Sequence, residues 1–84
     1  MQLNQKRIVI TGASSGIGLE TLKLLETYDG IKILAVDLNE KSISKSEKVI
    51  PYKCDISKKE NLDKLIKDAE KKLGGIDIFF ANAG

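Results

Sequence analysis

The sequence predicts an α/β fold: a parallel sheet of four strands in the order 3-2-1-4 with helices on both faces, incomplete relative to a full doubly wound domain. Two observations carry this prediction. Apolar runs at Ile8-Val9-Ile10, Ile31–Val36, Val49–Cys54 and Ile76–Ala81 alternate with stretches of helical periodicity. Runs that are apolar without alternation suit strands buried on both faces of a parallel sheet, and their interleaving with helices is the βαβ pattern. The second observation is the glycine-rich stretch Thr11-Gly12-Ala13-Ser14-Ser15-Gly16-Ile17-Gly18 between the first run and the first helical segment. A loop of that kind at a strand-to-helix turn can bind a phosphate.

After a short polar lead, the first strand is expected at Arg7–Thr11. The helix over Gly16–Tyr28 carries Ile17, Leu22, Leu24, Leu25 and Tyr28 as a broad apolar face, and Gly30 stops it. Ile31–Val36 is the second strand and ends at Asp37. The crossover Leu38–Lys48 is weak. Asn39 could cap a turn through Glu40, Lys41 and Ser42, but Ile43 is its only inner apolar residue, so a short helix or none is expected. In the third strand, Val49–Cys54, Pro51 argues for an edge position, because proline cannot donate to a ladder on both sides. Ser57 and Glu60 have capping-box spacing, Leu62, Leu65, Ile66, Ala69 and Leu73 form one helical stripe, and Gly74-Gly75 ends it. The last strand is Ile76–Ala81. Right-handed crossovers then give the order 3-2-1-4, with the switch point between the first and fourth strands.

The three loop glycines have separable tasks. Gly12 permits the turn off the strand, Gly16 lets backbone approach an anion, and Gly18 allows close packing of helix on sheet. A plain tight connection would need fewer glycines and no flanking Ser14 and Ser15. The unpaired N–H groups of the first helical turn would face the anion, which makes this a place for a dinucleotide. Asp37, at the end of the second strand, could simply begin a turn. At that position a carboxylate can also accept from ribose hydroxyls and repel a 2′-phosphate.

These residues resemble the short-chain dehydrogenase/reductase family, whose Rossmann-type cofactor loop has the spacing G-x-x-x-G-x-G. Asp37, Asp55-Ile56 and Asn82-Ala83-Gly84 follow in the order of that family's cofactor-contacting elements. The resemblance implies a cofactor site at Gly12, Ser14, Ser15, Gly16, Ile17, Gly18, Asp37, Leu38, Asp55, Ile56, Asn82, Ala83 and Gly84. Asp55-Ile56 resembles the pair that holds adenine, although an ordinary turn before Ser57 explains it too. Ala81 departs from the common N-N-A-G, and Asn82 could brace the sheet as readily as touch a ligand. Ser15 and Leu38 stand where NADP-preferring relatives often carry a basic residue, which favours NAD, while Lys41 keeps NADP open. In the family, hydride transfer uses a Tyr-x-x-x-Lys pair with an upstream Ser, beyond the N-A-G element. Tyr28 and Tyr52 do not fit that pattern. Residues 1–84 are therefore expected to be the N-terminal half of an NAD(P)-binding domain, inactive alone, from an oxidoreductase acting between nicotinamide and a carbonyl or alcohol.

Composition narrows the alternatives. A formal charge of +2 over mixed-sign segments such as Lys67–Lys72 offers no basic stripe for nucleic acid. With Cys54 the only cysteine and no histidine, neither an intrachain disulfide nor a zinc site of the usual kind is expected. No apolar run is long enough to cross a bilayer, and a reduced, cytoplasmic setting is expected. No Gly-Lys-Ser/Thr follows the loop, which disfavours a P-loop ATPase or kinase. Only the Leu62–Leu73 helix looks able to cover one face of four apolar strands. An uncovered face and the free edge of Ile76–Ala81 would favour a homo-oligomer. The competing reading is a stand-alone, non-catalytic nucleotide-binding or self-associating module.

Overall fold

Consecutive apolar residues in a strand point to opposite faces, and that alternation divides this chain into two cores. The computed structural model describes residues 3–14 and 16–82. Its elements are β1 (Arg7–Thr11), α1 (Gly16–Leu25), β2 (Lys32–Asp37), a single 3-10 turn (Glu40–Ser42), β3 (Val49–Lys53), α2 (Lys59–Leu73) and β4 (Ile78–Phe80). All strands are parallel, in the order β3-β2-β1-β4. Ile8, Ile10, Ile33, Ala35 and Val49 pack with Leu22 and Leu25 of α1. Val9, Leu34 and Val36 pack with Leu65, Ala69 and Leu73 of α2. Each buried Val, Leu or Ile among them contributes about 1.5–3 kcal/mol.

The predicted order and the edge position of β3 are observed, and the weak crossover folds as one 3-10 turn anchored by the buried Ile43. Four expectations are corrected. Both faces carry a helix, as the predicted architecture has it, and the separate expectation of an uncovered face fails because α1 covers it. Helix α1 is narrower and shorter than predicted. Gly18, Leu22 and Leu25 face the sheet, whereas Ile17 and Leu24, seven residues apart on a neighbouring flank, are 78% and 62% exposed. Past Leu25 the chain continues only as turns, because the Thr27 hydroxyl donates to the Leu24 carbonyl at 2.7 Å, a local competitor of the helix ladder.

The capping box does not form. The helix begins one residue later than the box requires: Lys58 is the N-cap, extended and without a side-chain cap bond, and the Ser57 hydroxyl one residue before it donates to Asp55 Oδ1 at 2.6 Å. The predicted C-terminus does hold: Gly74 adopts φ 81° and donates its N–H to the Glu70 carbonyl at 2.9 Å. Finally, β4 spans only Ile78–Phe80, the three residues in register with Ile8–Ile10.

The start of β4 is held by a contact that the sequence pattern does not announce. Arg7 Nε and Nη2 donate to Asp77 Oδ2 and Oδ1 at 3.0 and 3.2 Å, and Nη1 donates to the Gly74 carbonyl at 2.7 Å. The Arg7 N–H adds a fourth bond, to Asp77 Oδ2 at 2.8 Å. Hydrogen bonding from Arg7 pulls the Asp77 carboxyl down to about 2 from its ordinary 3.8. A lowered folded-state pKa gives stability that is present above the unfolded value and lost as acid protonates the folded carboxylate. Melting temperature is therefore expected to fall between about pH 4 and 2, and Asp77→Asn to flatten that dependence while lowering the melting point near neutrality. An acid melting series on both proteins checks this, and parallel curves would refute it.

Candidate functional site

At the carboxyl ends of the strands, three glycine-dependent features shape the first loop. Gly12 turns off β1 at φ 64°, and Gly16 opens α1 at φ 56° with open space where a Cβ would stand. Gly18 has an ordinary helical backbone. A Cβ there would overlap the Gly12 carbonyl oxygen and come within 2.6 Å of Asn82 Nδ2. The close approach expected of Gly18 is thus to the loop and to Asn82, more than to the sheet. Gly16, Ile17 and Gly18 form the first turn of α1, which contains no acidic residue to compete with an anion.

Asn82 closes this corner. Its Nδ2 donates to the Gly12 carbonyl at 3.3 Å, and its backbone N–H donates to Thr11 Oγ1 at 3.0 Å. Thr11, 1% exposed, is the buried polar residue of the core, with its hydroxyl within 3.4 and 3.3 Å of the Phe80 and Asn82 carbonyls. That hydroxyl and the Asn82 amide together join the ends of β1 and β4. Thr11→Val keeps the shape but leaves the Asn82 N–H only its 3.2 Å bond to the Phe80 carbonyl, so a loss of about 0.5–1.5 kcal/mol is expected in denaturant unfolding. A loss under a few tenths would show that the hydroxyl is dispensable.

Across the loop, Asp37 ends β2. Its Oδ2 accepts the Ser14 N–H at 3.1 Å and its Oδ1 accepts the Asn39 N–H at 3.4 Å. Burial alone would raise its pKa. Hydrogen bonds from the Ser14 side chain and from the N–H groups of Ser14, Asn39 and Leu38 outweigh that and hold the carboxyl below its usual value. At the end of β3, Asp55 forms a tight turn in which Oδ1 accepts the Ser57 N–H at 3.0 Å and the Ser57 hydroxyl. Those bonds hold its carboxyl below the usual range as well. Asn61 Nδ2 ties the Asp55 carbonyl to α2 at 3.1 Å.

Between these ends lies a cleft of about 520 Å³, within the size range of small-molecule sites. Of the residues predicted for the site, Gly12, Asp37, Leu38, Asp55, Ile56 and Asn82 line it. Ser14, Gly16, Ile17 and Gly18 belong to the loop and helix start at its edge and do not line it. Ser15, Ala83 and Gly84 lie outside the described residues. Asp55 is a turn residue and also stands in the cleft wall. Thr11, Val36, Cys54 and Ser57 also line the cleft and were not anticipated. For Thr11, Val36 and Cys54 a signal was available, since each sits at or beside the carboxyl end of a predicted strand. The Cys54 thiol is pushed up by burial and by the neighbouring Asp55, which favours the inert thiol over the reactive thiolate. Among the described residues no cluster of potential metal ligands occurs, and no helix is long and apolar enough to cross a membrane.

Comparison with known proteins agrees with this arrangement. The family model for short chain dehydrogenase matches residues 6–84. Short-chain dehydrogenase reductase 3a of Arabidopsis thaliana is 34% identical over 91 residues, covering 100% of this chain and 35% of that protein. Coniferyl-alcohol dehydrogenase of a Pseudomonas species is 40% identical over 76 residues, covering 90% of this chain and 28% of its own. Among solved structures, hydroxysteroid dehydrogenase from Escherichia coli superposes with a TM-score of 0.88 at 30% identity, over 99% of this chain and 38% of that one. A short chain dehydrogenase from Burkholderia cenocepacia, solved in complex with NADP, gives 0.86 at 26% identity, over 100% and 34%. The chain thus spans about a third of the length of these relatives.

Proposed function

Because this chain belongs to the short-chain dehydrogenase family, we propose that it is the N-terminal, cofactor-binding portion of a nicotinamide-dependent oxidoreductase and that its dinucleotide is NAD. The single observation carrying this reading is Asp37. Its carboxylate is held ionised at the wall of the cleft, next to a loop followed by a helix turn whose N–H groups have no partner within the helix itself. A carboxylate only accepts hydrogen bonds, so it suits the two ribose hydroxyls and repels a 2′-phosphate. Leu38 beside it supplies no cation. The NADP in the Burkholderia relative supports a nicotinamide dinucleotide as the ligand class, and the preference for NAD rests on Asp37 and Leu38. In this reading the first turn of α1 takes the pyrophosphate, Asp37 the adenosine ribose, and Asp55-Ile56 the adenine. Hydride transfer to a carbonyl, or from an alcohol, belongs to the longer parent enzyme.

Amide-resolved NMR titration with NAD and then NADP tests the proposal. Shifts at Gly12, Gly16–Gly18, Asp37 and Asp55 with NAD, and smaller ones with NADP, are expected. A dispersed spectrum indifferent to both nucleotides would overturn it. A second reading, a self-associating module, is favoured by the outer side of β4. Phe79 and Phe80, on the strand's two opposite faces, are 37% and 39% exposed, and among the described residues no strand pairs beyond it. Concentration-dependent light scattering is expected to reveal association through this edge, and a stable monomer would remove that reading.

A further inference from the structure

We propose that Asp37 is also a positioning residue for the phosphate loop, so that one carboxylate both reads the ribose and sets the shape of the anion site. The proposal rests on the nucleotide-binding reading above and deepens it.

Two successive loop amides are fastened to the end of β2. The Ala13 N–H donates to the Val36 carbonyl at 3.2 Å, and the Ser14 N–H donates to Asp37 Oδ2 at 3.1 Å. The first bond continues a strand ladder and does not depend on side-chain identity. The second exists only because residue 37 carries an acceptor that reaches back across 23 positions. Among the described residues it is the last tether before α1, and it lies between two glycines at positive φ, Gly12 and Gly16. Glycines give the loop many alternative shapes, so an anion site built on it needs such a tether to be pre-organised. The same bond directs the Ser14 N–H at the carboxylate, so that the anion cradle is the first turn of α1, Gly16 to Gly18, whose N–H groups have no partner within the helix itself. The Asn39 N–H, on Asp37 Oδ1, steadies the carboxylate from its other side.

The test separates the two tasks with a ligand that has no ribose hydroxyls, 2′,3′-dideoxy-ADP, and with two variants that lose the same charge. Asp37→Asn keeps a carbonyl acceptor for Ser14, whereas Asp37→Ala removes it. Any electrostatic gain from deleting a negative charge near the phosphates is common to both. Asp37→Ala is expected to bind 2′,3′-dideoxy-ADP at least fivefold more weakly than Asp37→Asn. Its Ser14 amide is expected to exchange hydrogen at least tenfold faster, while the Ala13 amide changes little. Where Asp37→Ala fails to fold, Asp37→Ser, too short to reach Ser14, takes its place. Equal affinities and equal Ser14 exchange in the two variants would overturn the proposal. If the unaltered chain binds neither ADP nor its dideoxy form, the nucleotide reading itself fails, and the exchange comparison still decides whether Asp37 holds the loop.

Discussion

Gly18→Ala is expected to be the most damaging single-methyl change in this chain. The new Cβ would occupy the space of the Gly12 carbonyl oxygen and press on Asn82 Nδ2. Neither neighbour can simply swing aside. The first is backbone, and the second is itself bonded to the same carbonyl and carried on a residue clipped to Thr11. Relief requires α1 to move away from the loop as a body, which would uncover Leu22 and Leu25 and pull the first-turn N–H groups off their positions. Overpacking of this kind costs about 1–3 kcal/mol or more, against a total stability of roughly 5–15 kcal/mol for a typical domain. Loss of a dispersed spectrum, or a large fall in melting temperature with at least tenfold weaker nucleotide binding, is expected. Gly16→Ala is the control. A Cβ there meets open space, so only the left-handed backbone is penalised, by about 1–2 kcal/mol. If Gly18→Ala melts with the unaltered protein, the close approach has no energetic meaning.

The legible part of the sequence was what depends on pattern and chain direction. Ile8-Val9-Ile10 and Ile31–Val36 announced buried parallel strands, Pro51 announced an edge, and handedness supplied the strand order. What stayed hidden depends on side chains choosing between partners. Ser57 has a cap's spacing from Glu60, yet it is drawn into the Asp55 turn, to which its N–H and hydroxyl both donate, and α2 starts one residue later with Lys58 at the cap position. Ile17 and Leu24 satisfy an apolar count for α1, but a helix over two central strands buries a narrower stripe than that count implies. The Arg7–Asp77 pair joins residues 70 positions apart, and no local pattern marks it. In the site, single residues at strand ends were readable because topology delivers every strand end to one side of the sheet. The Ser14–Asp37 bond was not, because it is a matter of side-chain reach.

Asp37→Asn is expected to reverse the choice between the two dinucleotides. The unaltered carboxylate keeps lone pairs for a ligand even while accepting from Ser14 and Asn39, since each oxygen can accept more than one hydrogen bond. Hydrogen bonds from two ribose hydroxyls to a charged acceptor contribute about 1.5–3 kcal/mol each. An amide offers one neutral acceptor and turns the other position into a donor, so NAD binding should weaken by about 10- to 100-fold. The same change removes the repulsion of a 2′-phosphate and supplies a donor to it, so NADP should bind no more weakly than before. The ratio of the two affinities therefore separates recognition from damage: a merely disturbed loop would weaken both ligands alike. Paired titrations of both proteins with both nucleotides measure that ratio. A ratio unchanged by the substitution would mean that Asp37 does not face the ribose, and the preference for NAD would have to be sought elsewhere on the cleft wall.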